Sequence, residues 1–465
     1  MSPAVREGGR LVVVGGDAAG MSAASRARRL RPDIEIIVLE RGRDVSYSAC
    51  STPYYIAGLI GDRNALIAHD AAFFRAERRI DVRLGADAIA ADPKRRTVTY
   101  RTDASETPQS VGFDALVIAT GASPVRLPIP GSELPGIFVL RTLAHADAIR
   151  DFLKNEPVAN AAVLGAGYVG LEMVEALHSR GIAVTVLEAL PHVLPSHDAD
   201  MSELVEQELL AKGVIVSKAT KVEGFESGAD GRRIGYVLAG GRRLPTDMVV
   251  MAVGVRPETA LASSAGIELG RTGAIKVDGR QATSETSVLA AGDCSEATHI
   301  VTARPTWIPL GTTANKQGRV AGENAVGGNA RFAGVAGTNV TKVFDLEVAQ
   351  TGLSSEGARK EGLDPDSVRI TDLSRSRAYP GALPITVKLI FERGGGRVLG
   401  AQIIGKEGAA KRIDTVAAAL AGRMTVADLE GIDMSYAPPF SPVWDPLLIA
   451  AQQAAKKLRR PGASS

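Results

Sequence analysis

The stretch NAAVLGAGYVGLEMVEALHSRGIAVTVLEA, residues 160–189, decides the fold. AAVLGAG reads as a buried strand entering a tight turn, GLEMVEALHSRG as a helix, and IAVTVLE as a second strand ending in Glu188. Gly165, Gly167 and Gly170 fit the pattern G-x-G-x-x-G, with Tyr168 and Val169 inside it. Such glycines permit the tight turn, the close approach of a pyrophosphate and the packing of helix on strand. The helix N-terminus receives phosphate, and an acidic residue closing the second strand takes ribose hydroxyls. Glu188 favours NADH because it would repel a 2′-phosphate, while His192 just beyond leaves NADPH open.

The same unit opens the chain. RLVVVGGDAAGMSAASRARRL, residues 10–30, gives strand, turn and helix, and IEIIVLE, residues 34–40, ends in Glu40, with Arg41 next. Gly15, Gly16, Ala19 and Gly20 form a degenerate copy of the fingerprint, with Asp17 where the middle glycine belongs. Two further strands run into turns: FDALVIATGASP (113–124) into Thr120–Gly121 and TSVLAAGDCSEA (286–297) into Gly292–Asp293. DMVVMAVGVRPE (247–258) repeats the first of these at Gly254. Ligands of open α/β sheets bind at the carboxyl ends of such strands. Beyond about residue 335, ITVKLIFER and VLGAQIIG read as an antiparallel sheet, and DTVAAALAGRM and PLLIAAQQAAKKLRR as helices. The expected class is α/β: two Rossmann-like dinucleotide-binding domains plus a C-terminal α+β domain.

A chain of 465 residues requires more than one core. Its net charge of +2 gives no reason to expect a nucleic-acid partner. Two cysteines cannot make a disulfide framework, and no apolar run reaches the length of a membrane span or a signal core. The default expectation is a soluble cytoplasmic protein.

One cysteine lies in SYSACSTPYY, residues 46–55. By its surroundings alone Cys50 is a small buried hydrophobe, half of a disulfide, or a solitary nucleophile.

Taken in order along nearly the whole chain, these pieces resemble the pyridine nucleotide–disulfide oxidoreductases, flavoproteins with two dinucleotide domains and a C-terminal dimerisation domain. The resemblance implies a discontinuous FAD domain (8–123 and 273–335), an NAD(P)H domain (124–272), an interface domain (336–455) and a tail (456–465). It implies FAD on Gly15–Gly20, Glu40 and Asp293, and NADH or NADPH on Gly165–Gly170 and Glu188. The two-cysteine members carry a second cysteine five positions on, where Tyr55 stands, and a C-terminal histidine, whereas the last histidine here is His299. Ser46-x-x-x-Cys50 followed by Pro53–Tyr54 instead resembles the single-cysteine subgroup. Its members are coenzyme A disulfide reductases, NADH oxidases and peroxidases, and persulfide or polysulfide reductases. Ser51–Thr52 departs from the glycine and apolar residue of that pattern.

Within the subgroup, SRAYPGA (376–382) and SYAPPFSPVWDP (435–446) resemble the tyrosine motifs that a partner subunit brings to the site in coenzyme A disulfide reductases. This implies a homodimer in which Tyr379 and Tyr436, with Ser46, assist the Cys50 thiolate. WIPLGTTANKQGR (307–319) resembles the segment bordering the flavin. Ala18 stands where oxidases and peroxidases place a histidine. By the same resemblance Ser22, Arg26, Arg29, Phe73 and Arg78 lie where the nucleotide end of coenzyme A binds. Coenzyme A would be substrate or product and would form a mixed disulfide with Cys50. The expected activity is NAD(P)H:coenzyme A disulfide reduction. The alternatives are an oxidase cycling Cys50 through sulfenic acid, a persulfide or polysulfide reductase, and a flavin-bearing redox sensor. A working Cys50 should have a depressed pKa.

Overall fold

The computed structural model describes residues 5–103, 105–229 and 231–459. The chain-opening unit forms a five-stranded parallel sheet in the order Val288–Ala290, Ala115–Ile118, Arg10–Val14, Glu35–Glu40, Asp81–Leu84. Leu11, Val12 and Val13 are fully buried, as expected of a strand with helices or further sheet on both faces. Each such side chain contributes about 1.5–3 kcal/mol of burial. A strand from beyond residue 285 therefore completes the first sheet, with the second unit looped out between.

The second unit repeats this architecture in the order Ile215–Ser217, Ala183–Leu187, Asn160–Leu164, Met248–Met251, Ile137–Val139. After it comes a five-stranded antiparallel sheet, Asn339–Val343, Leu346–Gly352, Val398–Gly405, Pro384–Glu392, Pro365–Leu373. Helices Ala409–Ala421 and Pro446–Leu458 bury Ile413, Val416, Leu447 and Ala451 against Leu389, Phe391 and Ile403 of this sheet. The last helix runs to Leu458, past the expected boundary at 455, because Ala454, Ala455 and Leu458 still pack on that core. Residues 460–465 of the expected tail lie outside the described residues.

Two small antiparallel sheets, Ala86–Asp92 with Thr97–Thr102 and Ser105–Gly112, and Val222–Ser227 with Ile234–Ala239 and Arg242–Pro245, are additions not expected from the sequence.

Candidate active site

The two glycine turns are built alike. A Cβ on Gly20 would lie 1.8 Å from the Gly15 carbonyl oxygen, and one on Gly170 would lie 2.0 Å from that of Gly165, so glycine lets each helix close onto its strand. The acidic residues also match: Glu40 accepts hydrogen bonds from Gly16 N and Gly42 N (2.6 Å each), and Glu188 from Ala166 N (2.7 Å) and Leu190 N (2.9 Å). At Gly167 the backbone is extended, and nothing lies within 4 Å of a Cβ there. That explains Asp17 in the first copy: the middle position tolerates a side chain. Burial raises the Asp17 carboxyl to about 6, with Arg141 opposing and Glu40 adding to the shift.

Each turn opens onto a cavity. One, of about 550 Å³, is lined by Gly15, Gly16, Glu40, Arg41, Thr120 and Gly121. The other, of about 660 Å³, is lined by Gly165, Gly167, Glu188 and Gly254. Concave backbone turns facing such volumes fit the pyrophosphate and ribose of a dinucleotide. Asp293 does not stand free at its strand end: Arg141, on the wall of the first cavity, bonds it at 2.5 Å. Ala19 and Gly292 meet in the packing behind that cavity. Tyr168 and Val169 do not line the second cavity; Tyr168 reaches Ser196 and Gln350 instead, and Val169 is exposed.

A third cavity, of about 680 Å³, lies beside the first, and Asp17 and Tyr47 line both. Ser22, Arg29, Phe73 and Arg78, expected at the nucleotide end of the substrate, all line it, and so do Ser46–Ser48, the segment leading to Cys50. Arg26 does not: it forms an ion pair with Glu323 at 2.5 Å, and its neighbour Arg28 is spent on backbone carbonyls, including Ile34 O at 2.8 Å. Ser46 holds φ +51°, a left-handed conformation uncommon outside glycine, pinned by Ser46 N donating to Gly16 O and Ala68 N donating to Ser46 O (2.9 Å each).

Sequence reasoning missed Asn315 and Arg319. Helix Gly311–Ala325 crosses helix Ala18–Leu30 with Gly318 and Gly322 against Ala19 and Ala23. That crossing brings Asn315 and Arg319, four residues apart, into the third cavity, where Ser22 Oγ donates to Asn315 Oδ1 at 2.7 Å. The i, i+4 spacing within WIPLGTTANKQGR was the available signal. His69, stacked on Phe73 with ring centroids 3.9 Å apart, was missed for want of any motif. Among the described residues no carboxylate pairs with Arg29, Arg78 or Arg319; Arg29 Nε donates to Ser25 O at 3.1 Å on its own helix, and Arg78 lies over the Phe73 ring.

Cys50 lies in the turn Ala49–Ser51, just before the helix Thr52–Ala57. The two residues that break the expected pattern build this turn: Thr52 Oγ1 donates to Ala49 O at 2.7 Å, and the Ser51 and Ser48 hydroxyls bond each other at 2.7 Å. Cys50 is exposed, whereas Cys294 is buried and bonds Ala291 O, a packing thiol. The expected depression of the Cys50 pKa is not found. Desolvation by the surrounding residues pushes its thiol up, Glu172, Asp17 and Asp293 push the same way, and Arg141 opposes them.

Tyr379 and Tyr436 line none of these cavities within the chain; both are exposed on the C-terminal unit. Their loops are joined by Ser376 N donating to Pro438 O at 3.2 Å. A buried guanidinium fixes both: Arg412 donates to Ser374 O (2.8 Å), Phe440 O (3.4 Å) and Asp445 (2.8 Å). Phe440, Val443 and Trp444 are exposed beside them.

Residues 9–318 match the family model described as pyridine nucleotide-disulphide oxidoreductase, and residues 338–446 match its dimerisation domain. The chain belongs to the pyridine nucleotide-disulphide oxidoreductases. It is accordingly an NAD(P)H-dependent flavoprotein oxidoreductase whose cofactors are FAD and NAD(P)H. A protein of Methanocaldococcus jannaschii named NADH oxidase is 37% identical over 97% of this chain and 99% of its own. One of Staphylococcus aureus (strain JH9) named coenzyme A disulfide reductase is 30% identical over 93% and 96%. The structure of an NAD-dependent persulfide reductase from A. fulgidus superposes with a TM-score of 0.93 at 41% identity, covering 96% of this chain and 83% of that one. Among the described residues of this oxidoreductase no helix is long and apolar enough to cross a membrane.

Proposed function

We propose that this oxidoreductase is a homodimeric NAD(P)H:coenzyme A disulfide reductase. The observation that carries the reading is the third cavity, whose lining joins Arg29, Arg78 and Arg319, none of them paired with a carboxylate, to Ser46–Ser48, the segment leading to Cys50. That layout suits a substrate with phosphates at one end and a reactive sulfur at the other. The glycine turn at Gly15–Gly20 with Glu40 and Asp293 would hold FAD, and that at Gly165–Gly170 with Glu188 would hold NAD(P)H. FAD, when bound, supplies the two-electron relay between nicotinamide and sulfur.

The protein's own part is thiol chemistry. Cys50 thiolate attacks one sulfur of the substrate disulfide, forms the mixed disulfide Cys50–S–S–CoA, and expels a coenzyme A thiolate that takes up a proton. One protein sulfur suffices because the substrate brings the second. Tyr379 and Tyr436, exposed on loops fixed by Arg412, would come from the partner subunit to hydrogen-bond the departing thiolate, and Ser46 would do so from within the chain. Exposed Phe440 and Trp444 beside them supply an apolar surface suited to a second copy.

The likeness to the A. fulgidus structure favours a second reading, reduction of a coenzyme A persulfide at the same cysteine. Steady-state turnover with coenzyme A disulfide, polysulfide and oxygen, each with NADH and NADPH, separates them. The expected result is a kcat/KM for coenzyme A disulfide about an order of magnitude or more above the others, with NADH preferred through Glu188. Faster sulfide release from polysulfide would replace this reading with the second.

A further inference from the structure

The face of the C-terminal sheet that meets the second nucleotide unit packs Val343, Val348 and Ile404 into one core with Leu194, Met201 and Val205. Through this apolar face runs a polar row. Asn339, Gln350, Gln402 and Lys388 stand opposite one another on four neighbouring strands, so their side chains share a face. Gln350, Gln402 and Lys388 are buried. The row meets the segment 194–200 of the nucleotide unit. Gln402 Oε1 accepts from Asp198 N (3.1 Å), and Lys388 Nζ pairs with Asp198 (2.9 Å) and Asp200 (2.7 Å). Ser355 donates to the Asp198 carboxylate from its N (3.0 Å) and its Oγ (2.7 Å). Gln350 Oε1 accepts from Tyr168 OH, which also bonds Ser196 Oγ (3.0 Å).

Asp198 precedes helix Ala199–Ala211, where an aspartate ordinarily caps the helix with its side chain, yet it makes no such bond. Its carboxylate is turned to the sheet instead. Burial would raise it, but the bonds from Lys388 and Ser355 hold it below the usual carboxylate range. Stability does not explain the row. Asn339 Oδ1, Gln402 Nε2 and His197 Nε2 are buried in or beside it without a hydrogen-bond partner among the described residues, which costs free energy. Buried polar and ionic groups are best attested as devices that hold one register.

The segment so held is strained. Leu194, fully buried, adopts φ +47°, a left-handed conformation that a leucine rarely takes. One end of the segment is tied to the second glycine turn, Leu194 N donating to Ala166 O (2.9 Å), and the other to the sheet through Asp198. Between the two ties Pro195 lines the second cavity with Gly165, Gly167 and Glu188. We propose that Lys388, acting through Asp198, is a positioning residue for the nicotinamide nucleotide: it holds Leu194–Asp198 in the strained form that completes the wall of that cavity. The C-terminal sheet thereby sets nucleotide affinity although none of its described residues lines the cavity. The proposal rests on the reading of the second cavity as the NAD(P)H site.

The test is the Kd of the FAD-loaded enzyme for tetrahydro-NADH, which binds but donates no hydride, measured by isothermal titration calorimetry. Flavin content and thermal midpoint are recorded for each variant. Lys388→Met is expected to raise Kd about tenfold with flavin content unchanged, and Lys388→Arg, which keeps a cation, to recover most of the affinity. Gln402→Leu, which removes only the bond from Asp198 N, should weaken binding several-fold and decides the matter if Lys388→Met loses its flavin. A merely structural role would lower the thermal midpoint and leave Kd at the parent value. Parent Kd in Lys388→Met and Gln402→Leu, with weaker binding in Glu188→Ala inside the cavity, would overturn the proposal alone. Parent Kd in all three would overturn the reading of the second cavity, and the proposal with it.

Discussion

Cys50→Ser is expected to lower NADH-driven reduction of coenzyme A disulfide by ~10³-fold or more while the protein keeps its flavin, since a hydroxyl is a far poorer nucleophile than a thiolate and cannot form the mixed disulfide. The fold should tolerate the change. Cys50 is exposed, and the turn that carries it is held by neighbours: Thr52 to Ala49, Ser48 to Ser51, and Ser46 to Gly16 and Ala68. The glycine turn and Glu40 lie on other elements and are untouched. The measurement is release of free thiol alongside flavin absorbance. Turnover near that of the parent enzyme would mean that reduction does not pass through Cys50.

The second large effect concerns the arginine cavity. Replacing Arg78 and Arg319 together by alanine removes two of three unpaired guanidinium groups. At about 1.5 kcal/mol for each charge-assisted hydrogen bond lost to a phosphate, KM for coenzyme A disulfide should rise by about 10²-fold, with kcat little changed. Pantethine, a disulfide of the same sulfur arm without the nucleotide, should be reduced equally well by variant and parent. Equal losses on both substrates would place the arginines in a structural role. Arg26→Ala should leave KM for both substrates near the parent value, because that guanidinium is already paired with Glu323.

The parallel sheets were legible because their strands are continuous apolar runs and their turns carry glycines, Gly20 and Gly170 among them, where helix closes onto strand with no room for a Cβ. The match between Glu40 and Glu188, each accepting two backbone N–H groups beside its own glycine turn, follows from that repeat. Asp17 looked like a defect in the first copy until the open space at Gly167 revealed that the position admits a side chain. What could not be read was anything depending on which of several equivalent groups is already paired. Arg26, Arg28 and Arg29 look alike in SRARRL, yet Glu323 takes the first, backbone carbonyls take the second, and the third faces the cavity. Arg141 sits in no motif and Glu172 just past the second fingerprint, and their charges act on Cys50 from segments distant in the chain. The same holds for the raised thiol: a flanking pattern proposes Cys50 as the nucleophile, but its thiol is pushed up first by desolvation and then by carboxylates from three other parts of the chain.

The central claim is that one protein sulfur works with one substrate sulfur. Its most direct test is intact-mass spectrometry of the FAD-loaded enzyme after brief exposure to coenzyme A disulfide without NAD(P)H. The account predicts one coenzyme A adduct per chain, mapped to Cys50, released by NADH and absent in Cys50→Ser. An unmodified Cys50 in an enzyme that nonetheless turns the disulfide over would contradict it.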